Sequence, residues 1–433
     1  MEGYGGTQTV RLRSIFSMTA AIVLLAGAAF ADRGPAATRK IIVFREGTTQ
    51  QVHRQVLERH GLKVLHHLDL VNAAAIALPD GQAGAALAAL EGDPRVVGVD
   101  EDSAISADHA VVITPVPAPA VEMFPWGVEH IGVRAVFDLV VSNTLSTATV
   151  AILDTGIDKK HPELVSQIAG GYSARAGEKP SDYQDYNGHG THMAGIVAAA
   201  WNGNGIIGAA TNPELVAVKV LDDTGHGSLS DLIAGLQWVL DNRSRYGIRV
   251  VNMSLSFPGG SSLLEEATDQ LYAAGVIMVA SAGNRCVGGA EDSGADDEGG
   301  DAGCDASNAY VKYPAAYPRV MAVVATDIHN MLTDYDRNGP ELDLAAPGGD
   351  KQSGQILSTT INGGYGIACG SSQAAAHVTG AAAVALQLAP WLSVDQVVAL
   401  LKGTARDLGY SAPHQGAGLV AVDNLVKKLL GLP

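Results

Sequence analysis

Three short stretches of this chain carry side chains that could perform acyl transfer if the fold brought them together. In Val150-Ala151-Ile152-Leu153-Asp154-Thr155-Gly156-Ile157-Asp158 a carboxylate closes an apolar run. A charge in such surroundings is costly unless paired, so Asp154 needs a partner. In Asn187-Gly188-His189-Gly190-Thr191-His192-Met193-Ala194-Gly195, glycines on both sides leave the His189 imidazole approachable at the start of a small-residue helix, which suits a general base. The rival reading is a metal pair at His189 and His192. It lacks an HExxH or carboxylate-rich pattern, and helical residues three apart lie about 60° off a common face. In Gly370-Ser371-Ser372-Gln373-Ala374-Ala375-Ala376-His377-Val378-Thr379-Gly380 a serine stands immediately before an Ala-rich helix. Free backbone N–H groups and the positive end of the helix dipole favour negative charge developing there. Taken singly, Asp154 reads as a turn residue and Ser372 as an N-cap.

The surrounding sequence supplies the frame. From about residue 124 onward, strand-like apolar runs at 150–153, 215–221, 250–255, 276–280 and 320–325 alternate with helical patterns at 230–240, 262–274 and 374–388. This alternation predicts an α/β fold, a mainly parallel sheet with helices on both faces and ligands at the carboxyl ends of its strands. Residues 40–102 predict a βαββαβ order, with strands at 40–44, 62–68, 73–78 and 95–99. A helix running towards His60 opens with a capping box in Thr48-Thr49-Gln50-Gln51, and a second helix covers 83–90, which together make a ferredoxin-like α+β unit. Thr114-Pro115-Val116-Pro117-Ala118-Pro119 then predicts a stiff, extended linker unable to join a sheet.

Composition narrows the classes. A chain of 433 residues has room for about two or three folded units. With 47% apolar and 17% charged residues it reads as ordered and globular. A formal charge of −17 repels phosphate backbones, which argues against nucleic acid as a partner. Arg11 and Arg13 precede an apolar run at 15–29, and Ala29-Phe30-Ala31 supplies a small-x-small cleavage pattern. The run falls short of the roughly 20 residues that cross a bilayer, so it predicts a signal peptide over 1–31 and export to the extracellular space or periplasm, with no membrane contact afterwards.

Together, in this order, the three segments resemble the subtilisin-like serine proteases. The likeness runs from about Phe124 to Val422 and rests on the family patterns DTGID, HGTH and GTSMAxPHVxG. It implies an orienting carboxylate at Asp154, the base at His189 rather than His192, and the nucleophile at Ser372. Val279-Ala280-Ser281-Ala282-Gly283-Asn284 resembles the strand that ends in the oxyanion-hole asparagine, here Asn284, with Gly283 among the substrate-binding residues. A donor of that kind is worth about 3 to 4 kcal/mol, a figure obtained on subtilisin itself. Ser254, Leu255 and Ser256 resemble one edge of the substrate cleft, and Gly225 and Gly227 the opposite edge. Polypeptide would then add as a strand, through main-chain bonds that tolerate many sequences. The βαββαβ unit resembles the family's inhibitory propeptides, whose tail lies in the cleft and is cut by the enzyme itself, here between about Ala107 and Ala120. The implied organisation is a signal peptide over 1–31, an inhibitory propeptide domain over 32–107, a Pro-rich linker with the processing site over 108–123 and a catalytic domain over 124–433. The implied product is a monomeric, secreted endopeptidase made as a zymogen and needing no cofactor. The alternative is a protease-like binding protein with an impaired site.

Several positions depart from the family pattern. Ser371-Ser372-Gln373-Ala374-Ala375-Ala376 replaces Thr-Ser-Met-Ala-x-Pro, which exchanges an oxidisable methionine beside the nucleophile for Gln373. Ser256 stands where glycine is usual and narrows the first pocket. Arg285 stands where some relatives are acidic, and a cation at the pocket mouth disfavours Lys or Arg in the substrate. Where the family holds structural calcium, Glu163 and a shortened Asn202-Gly203-Asn204-Gly205 loop offer few oxygens, and calcium there is left open. Cys286 and Cys304 enclose an acidic insertion at 287–303, for which a disulfide is expected on a solvated loop, with calcium binding as the other reading. Cys369 is then the odd thiol, expected in a small apolar niche.

Overall fold

The computed structural model describes residues 38–78, 83–107, 113–136, 145–285 and 309–432. The expected signal peptide, Cys286, Cys304, the acidic insertion and the start of the processing segment lie outside them. Seven parallel strands form the central sheet, in the spatial order Leu342–Pro347, Val320–Thr326, Ile277–Ser281, Ile248–Met253, Thr149–Asp154, Glu214–Lys219 and Ile168–Ser173. The alternation of side chains along each strand feeds two separate cores. Val150, Ile152, Leu215, Ala217 and Val250 pack with the helices His189–Ala198 and Ser371–Leu388. Ala151, Leu153, Val216, Val218, Val251 and Met253 pack with Leu229–Tyr246 and Ser262–Ala273 on the other face. A sheet covered on both sides explains why its strands read as continuous apolar runs. The Ala-rich helix is buried from Ser371 to Gln387. Its small side chains let it lie in the middle of the molecule, against both the sheet and the neighbouring His189–Ala198 helix.

The amino-terminal unit has the expected order. Lys63–Leu68, Ala73–Ala77, Arg39–Phe44 and Val96–Glu101 form an antiparallel sheet. Helices Gln50–Arg59 and Ala83–Glu91 enclose its core with Ile42, Val56, Leu57 and Leu90. The opposite face, carrying Ile41, Leu68, Leu70 and Ala75, shares a core with Leu232 and Leu264 of the large unit. Polar contacts border that seam. Arg39 Nε donates to Asp102 Oδ2 at 2.7 Å, and its Nη2 donates to the hydroxyls of Ser228 and Ser230, each at 2.8 Å. His66 Nε2 bonds Asp231 Oδ1 at 2.7 Å.

Three expectations need correction. The cap of the first helix is Thr49, whose side chain accepts from Val52 N, rather than Thr48. This one-residue shift puts Val52 where the box would need Gln51. Thr114–Val116 does join a sheet, pairing antiparallel with Gly364–Ala368. It lies at the edge of a three-stranded sheet, where the missing N–H of Pro115 is tolerated. Ser372 is the second residue of its helix, and the N-cap is Gly370 with no side-chain cap bond, so the capping reading of Ser372 fails.

Candidate active site

Asp154 ends its strand fully buried, and its Oδ1 accepts from Thr155 N at 2.7 Å. His189, the first residue of its helix, brings Nδ1 to 2.8 Å from Oδ1 and 3.0 Å from Oδ2 of the same carboxylate. The partner that the buried charge requires is therefore His189, and the two-point contact fixes both the ring's orientation and its Nδ1 proton. Gly190 makes this approach feasible, since a Cβ there would stand 2.1 Å from the Gly156 carbonyl oxygen and 3.1 Å from Asp154 Cβ.

Asp185, which the sequence reading passed over, holds the whole corner. Its Oδ1 accepts from Thr155 Oγ1, Asn187 N and Gly188 N, each at 2.9 Å. Its Oδ2 accepts from Thr191 N at 2.9 Å and Thr191 Oγ1 at 2.6 Å. One buried carboxylate thus ties the strand end carrying Asp154 to the helix start carrying His189. The available signal was an aspartate just ahead of an Asn-Gly turn into a helix, a pattern too common to single out.

His192 is elsewhere. Its Nε2 faces the Gly366 carbonyl at 3.3 Å in full burial, and desolvation drives its pKa down to about 3. Neither that geometry nor its direction makes it a metal partner of His189. Among the described residues no group of three or more His, Cys, Asp or Glu side chains could hold a metal ion. At the place considered for calcium, Glu163 Oε1 accepts from Tyr365 Oη at 2.6 Å and Oε2 from Asn202 Nδ2 at 3.1 Å. Burial also raises the Glu163 pKa. Cys369 is half-buried with a free thiol.

Ser372 is fully buried at the head of its helix, with Oγ donating to the Ser254 carbonyl at 3.4 Å, while Ser254 Oγ donates to the Ser372 carbonyl at 2.9 Å. A bond as long as 3.4 Å is a weak hold on the hydroxyl. Asn284 Oδ1 accepts from Ser371 N at 3.0 Å and Ser371 Oγ at 2.8 Å. With its oxygen so placed, its Nδ2 turns towards Gly370, 3.0 Å from where a Cβ on that residue would be. Gly370 therefore keeps clear the space in front of an amide donor.

The two expected cleft edges face each other, and a strand lies between them. Ala104–Ala107 pairs antiparallel with His226–Ser228 on one side and Leu255–Ser256 on the other. In this register Ile105 opposes Gly227, Ser106 opposes Ser256 and Ala107 opposes Leu255. Ala107 N also donates to the Gly225 carbonyl at 2.9 Å. The structure thus collects Gly225, Gly227, Leu255 and Ser256 around the tail of the amino-terminal unit, while Ser254 bonds Ser372. Gly283, at φ +86, lies against Lys312, whose Cδ is 3.0 Å from a Cβ built on that glycine. Arg337 anchors the same loop, with Nη2 donating to the Asn284 carbonyl at 2.9 Å and Nη1 to the Tyr310 carbonyl at 3.0 Å.

Comparisons with known proteins agree with this geometry. The model of the subtilase family matches residues 146–419. The chain is 36% identical to subtilisin E of Bacillus subtilis (strain 168) over 369 residues, covering 85% of this chain and 84% of that protein. Subtilisin DY of Bacillus licheniformis is 39% identical over 274 residues, 63% of this chain and 89% of its own. An alkaline protease of Shouchella clausii is 36% identical over 359 residues, 83% of this chain and 80% of its own.

Proposed function

The chain belongs to the subtilase family and is a serine endopeptidase, and from that premise we propose that Asp154, His189 and Ser372 form its catalytic triad, with Asn284 in the oxyanion hole. The observation that carries this assignment is the buried two-point bond between Asp154 and His189 at the carboxyl end of its strand, and Ser372 bonded to Ser254, next in sequence to the Leu255–Ser256 cleft edge, supports it. Asp154 holds the Nδ1 proton, which leaves Nε2 as the basic nitrogen. Once Ser372 Oγ leaves the Ser254 carbonyl, it passes its proton to Nε2 as it attacks the scissile carbonyl carbon. The oxyanion takes hydrogen bonds from Asn284 Nδ2 and the Ser372 backbone N–H. Collapse of the tetrahedral intermediate breaks the C–N bond, and His189 returns the proton to the leaving amine. Water, activated by the same imidazole, then hydrolyses the acyl-enzyme. No metal takes part in these steps.

Residues 32–107 act in this reading as an intramolecular inhibitor, because Ala104–Ala107 occupies the strand position that a polypeptide substrate needs. The 369-residue match with subtilisin E is longer than the part of the chain that follows the linker, so it extends into this unit and supports the likeness. The basic and apolar leader supports export, and the mature enzyme acts as an extracellular monomer on polypeptides. A serine-directed fluorophosphonate tests the assignment. The processed wild type is expected to be labelled and Ser372→Ala to stay unlabelled, whereas equal labelling of the two overturns it.

A further inference from the structure

We propose that Lys219 is a positioning residue of this endopeptidase: its buried ammonium group holds both the turn that follows Asp154 and the loop that backs the cleft edge. This role rests on the triad and cleft proposed above and adds a residue that does not touch the reacting atoms. Lys219 ends the strand Glu214–Lys219 at 2% exposure, beside Asp154 in the parallel register. In the alternation of its strand it follows Leu215 and Ala217, which pack towards the His189–Ala198 helix, just as Asp154 follows Val150 and Ile152. The lysine therefore shares a face of the sheet with the carboxylate of the triad.

Taking an ammonium group out of water is costly. The carboxylate that pairs with it, Asp223 Oδ1 at 3.1 Å, belongs to a side chain 60% exposed, and an ion pair with one member in water returns little of that cost. The other bond, from Nζ to the Thr155 carbonyl at 2.8 Å, is buried. An apolar side chain of similar length would fill the same volume without the penalty, so stability alone does not account for a charge here. The places its two acceptors occupy do account for it.

Thr155 directly follows Asp154, and its hydroxyl accepts from Gly190 N at 2.9 Å, directly after His189. With its carbonyl held by Lys219 and its hydroxyl held by Gly190 and Asp185, the turn that aims the Asp154 carboxylate has little freedom to pivot. On the other side, the Asp223 carbonyl accepts from Asn187 Nδ2 at 3.1 Å, and Asn187 Oδ1 accepts from His189 N at 3.1 Å. Asp223 also stands two residues before Gly225, whose carbonyl accepts from Ala107 N in the cleft. Lys219 thereby joins the strand end at Asp154 to the loop 222–226, which supports both the Asn187 turn and the cleft edge. An ammonium group can serve a carbonyl and a carboxylate from separate segments at once, because it carries three donors and a charge.

The test uses processed enzyme and a peptide p-nitroanilide, with rates divided by the active sites that the fluorophosphonate titrates, so that misfolded protein drops out. In Lys219→Met the kcat per site is expected to fall by about tenfold, because the carboxylate behind His189 loses its fixed turn. Asp223→Ala frees the loop alone, and KM is expected to rise by about threefold while kcat stays within about twofold of wild type. The low-field proton resonance of the Asp154–His189 hydrogen bond, recorded in the Ser372→Ala background, supplies a second readout that loosened packing elsewhere does not move. It is expected to shift with Lys219→Met and to stay in place with Asp223→Ala. A titrated Lys219→Met with kcat within about twofold of wild type, or with its resonance unmoved, overturns the proposal. Should Lys219→Met yield no folded enzyme, Asp223→Ala decides, and an unmoved KM overturns it equally. A wild type that takes no label defeats the triad assignment instead, whatever the Lys219 variants do.

Discussion

Several buried side chains are tuned by what they lack. His377 Nδ1 donates to the Gln373 carbonyl at 2.8 Å, and desolvation by burial drives its pKa down to about 4. His192 is likewise fully buried, and desolvation gives it a pKa of about 3. Both folded values lie below the unfolded 6.5, so the unfolded chain takes up protons that the native state refuses. Stability is thus fully present above pH 6.5 and is expected to fall below it by about 1 kcal/mol per pH unit per histidine. Urea midpoints of Ser372→Ala, which cannot digest itself, between pH 7 and pH 5 measure this slope. Gln373 presents another unpaid group, since both ends of its side-chain amide are buried without a partner. Gln373→Met is expected to gain about 1 to 3 kcal/mol by removing them. It should also make activity fall in peroxide, which the wild type is expected to resist, because the new thioether would oxidise beside Ser372. Thermal melts and residual activity after peroxide check the two halves separately.

At the scale of elements, the site is a junction of one strand end and two helix starts. The proposed triad was named from the sequence because residue type, local glycine pattern and chain order all agreed, and of its contacts the structure shows the Asp154–His189 pair. Asp185 was not, because its role exists only when Thr155 and Thr191, 36 residues apart in the chain, meet at its two oxygens. Asp185→Asn turns one acceptor into a donor facing Thr191. We expect kcat to fall by about a hundredfold through a displaced His189, with KM little altered, since the cleft edges do not touch it. Steady-state kinetics on a peptide substrate separates the two constants. The strands Ile168–Ser173 and Leu342–Pro347 were also missed. The first is interrupted by Gly170 and Gly171, and Gly171 is needed because a Cβ there would come within 2.5 Å of the Tyr183 ring. Each lies at an edge of the sheet, where a strand needs less apolar sequence. The Pro-rich segment misled for the same reason, since an edge position suspends the rule that excludes proline from sheets.

Across the whole molecule, the two units are joined by a shared apolar core and by the strand in the cleft. Arg39 is the polar hinge of that seam. It binds Asp102, and Asp102 Oδ1 in turn accepts from Ser230 N at 2.8 Å in the first turn of the Leu229–Tyr246 helix. Arg39→Ala leaves Asp102 without its cation, and the amino-terminal unit is expected to dissociate faster after the first cut, shortening the lag before activity appears. Progress curves at several enzyme concentrations measure that lag. The pairing of this unit with the catalytic one was readable as a likeness, whereas the side chains that carry it, Arg39 and His66, were not. Their partners on the other unit, Ser228, Ser230 and Asp231, lie more than 160 residues away in the chain.

The proposed function makes the chain a precursor that removes its own amino-terminal unit through Ser372. The intact mass of purified protein from a host without other subtilases tests that directly. The account predicts that wild type accumulates as a mature chain starting between about residues 107 and 120, while Ser372→Ala retains residues 32–107 on the same chain. A Ser372→Ala protein that matures to the wild-type mass would contradict it.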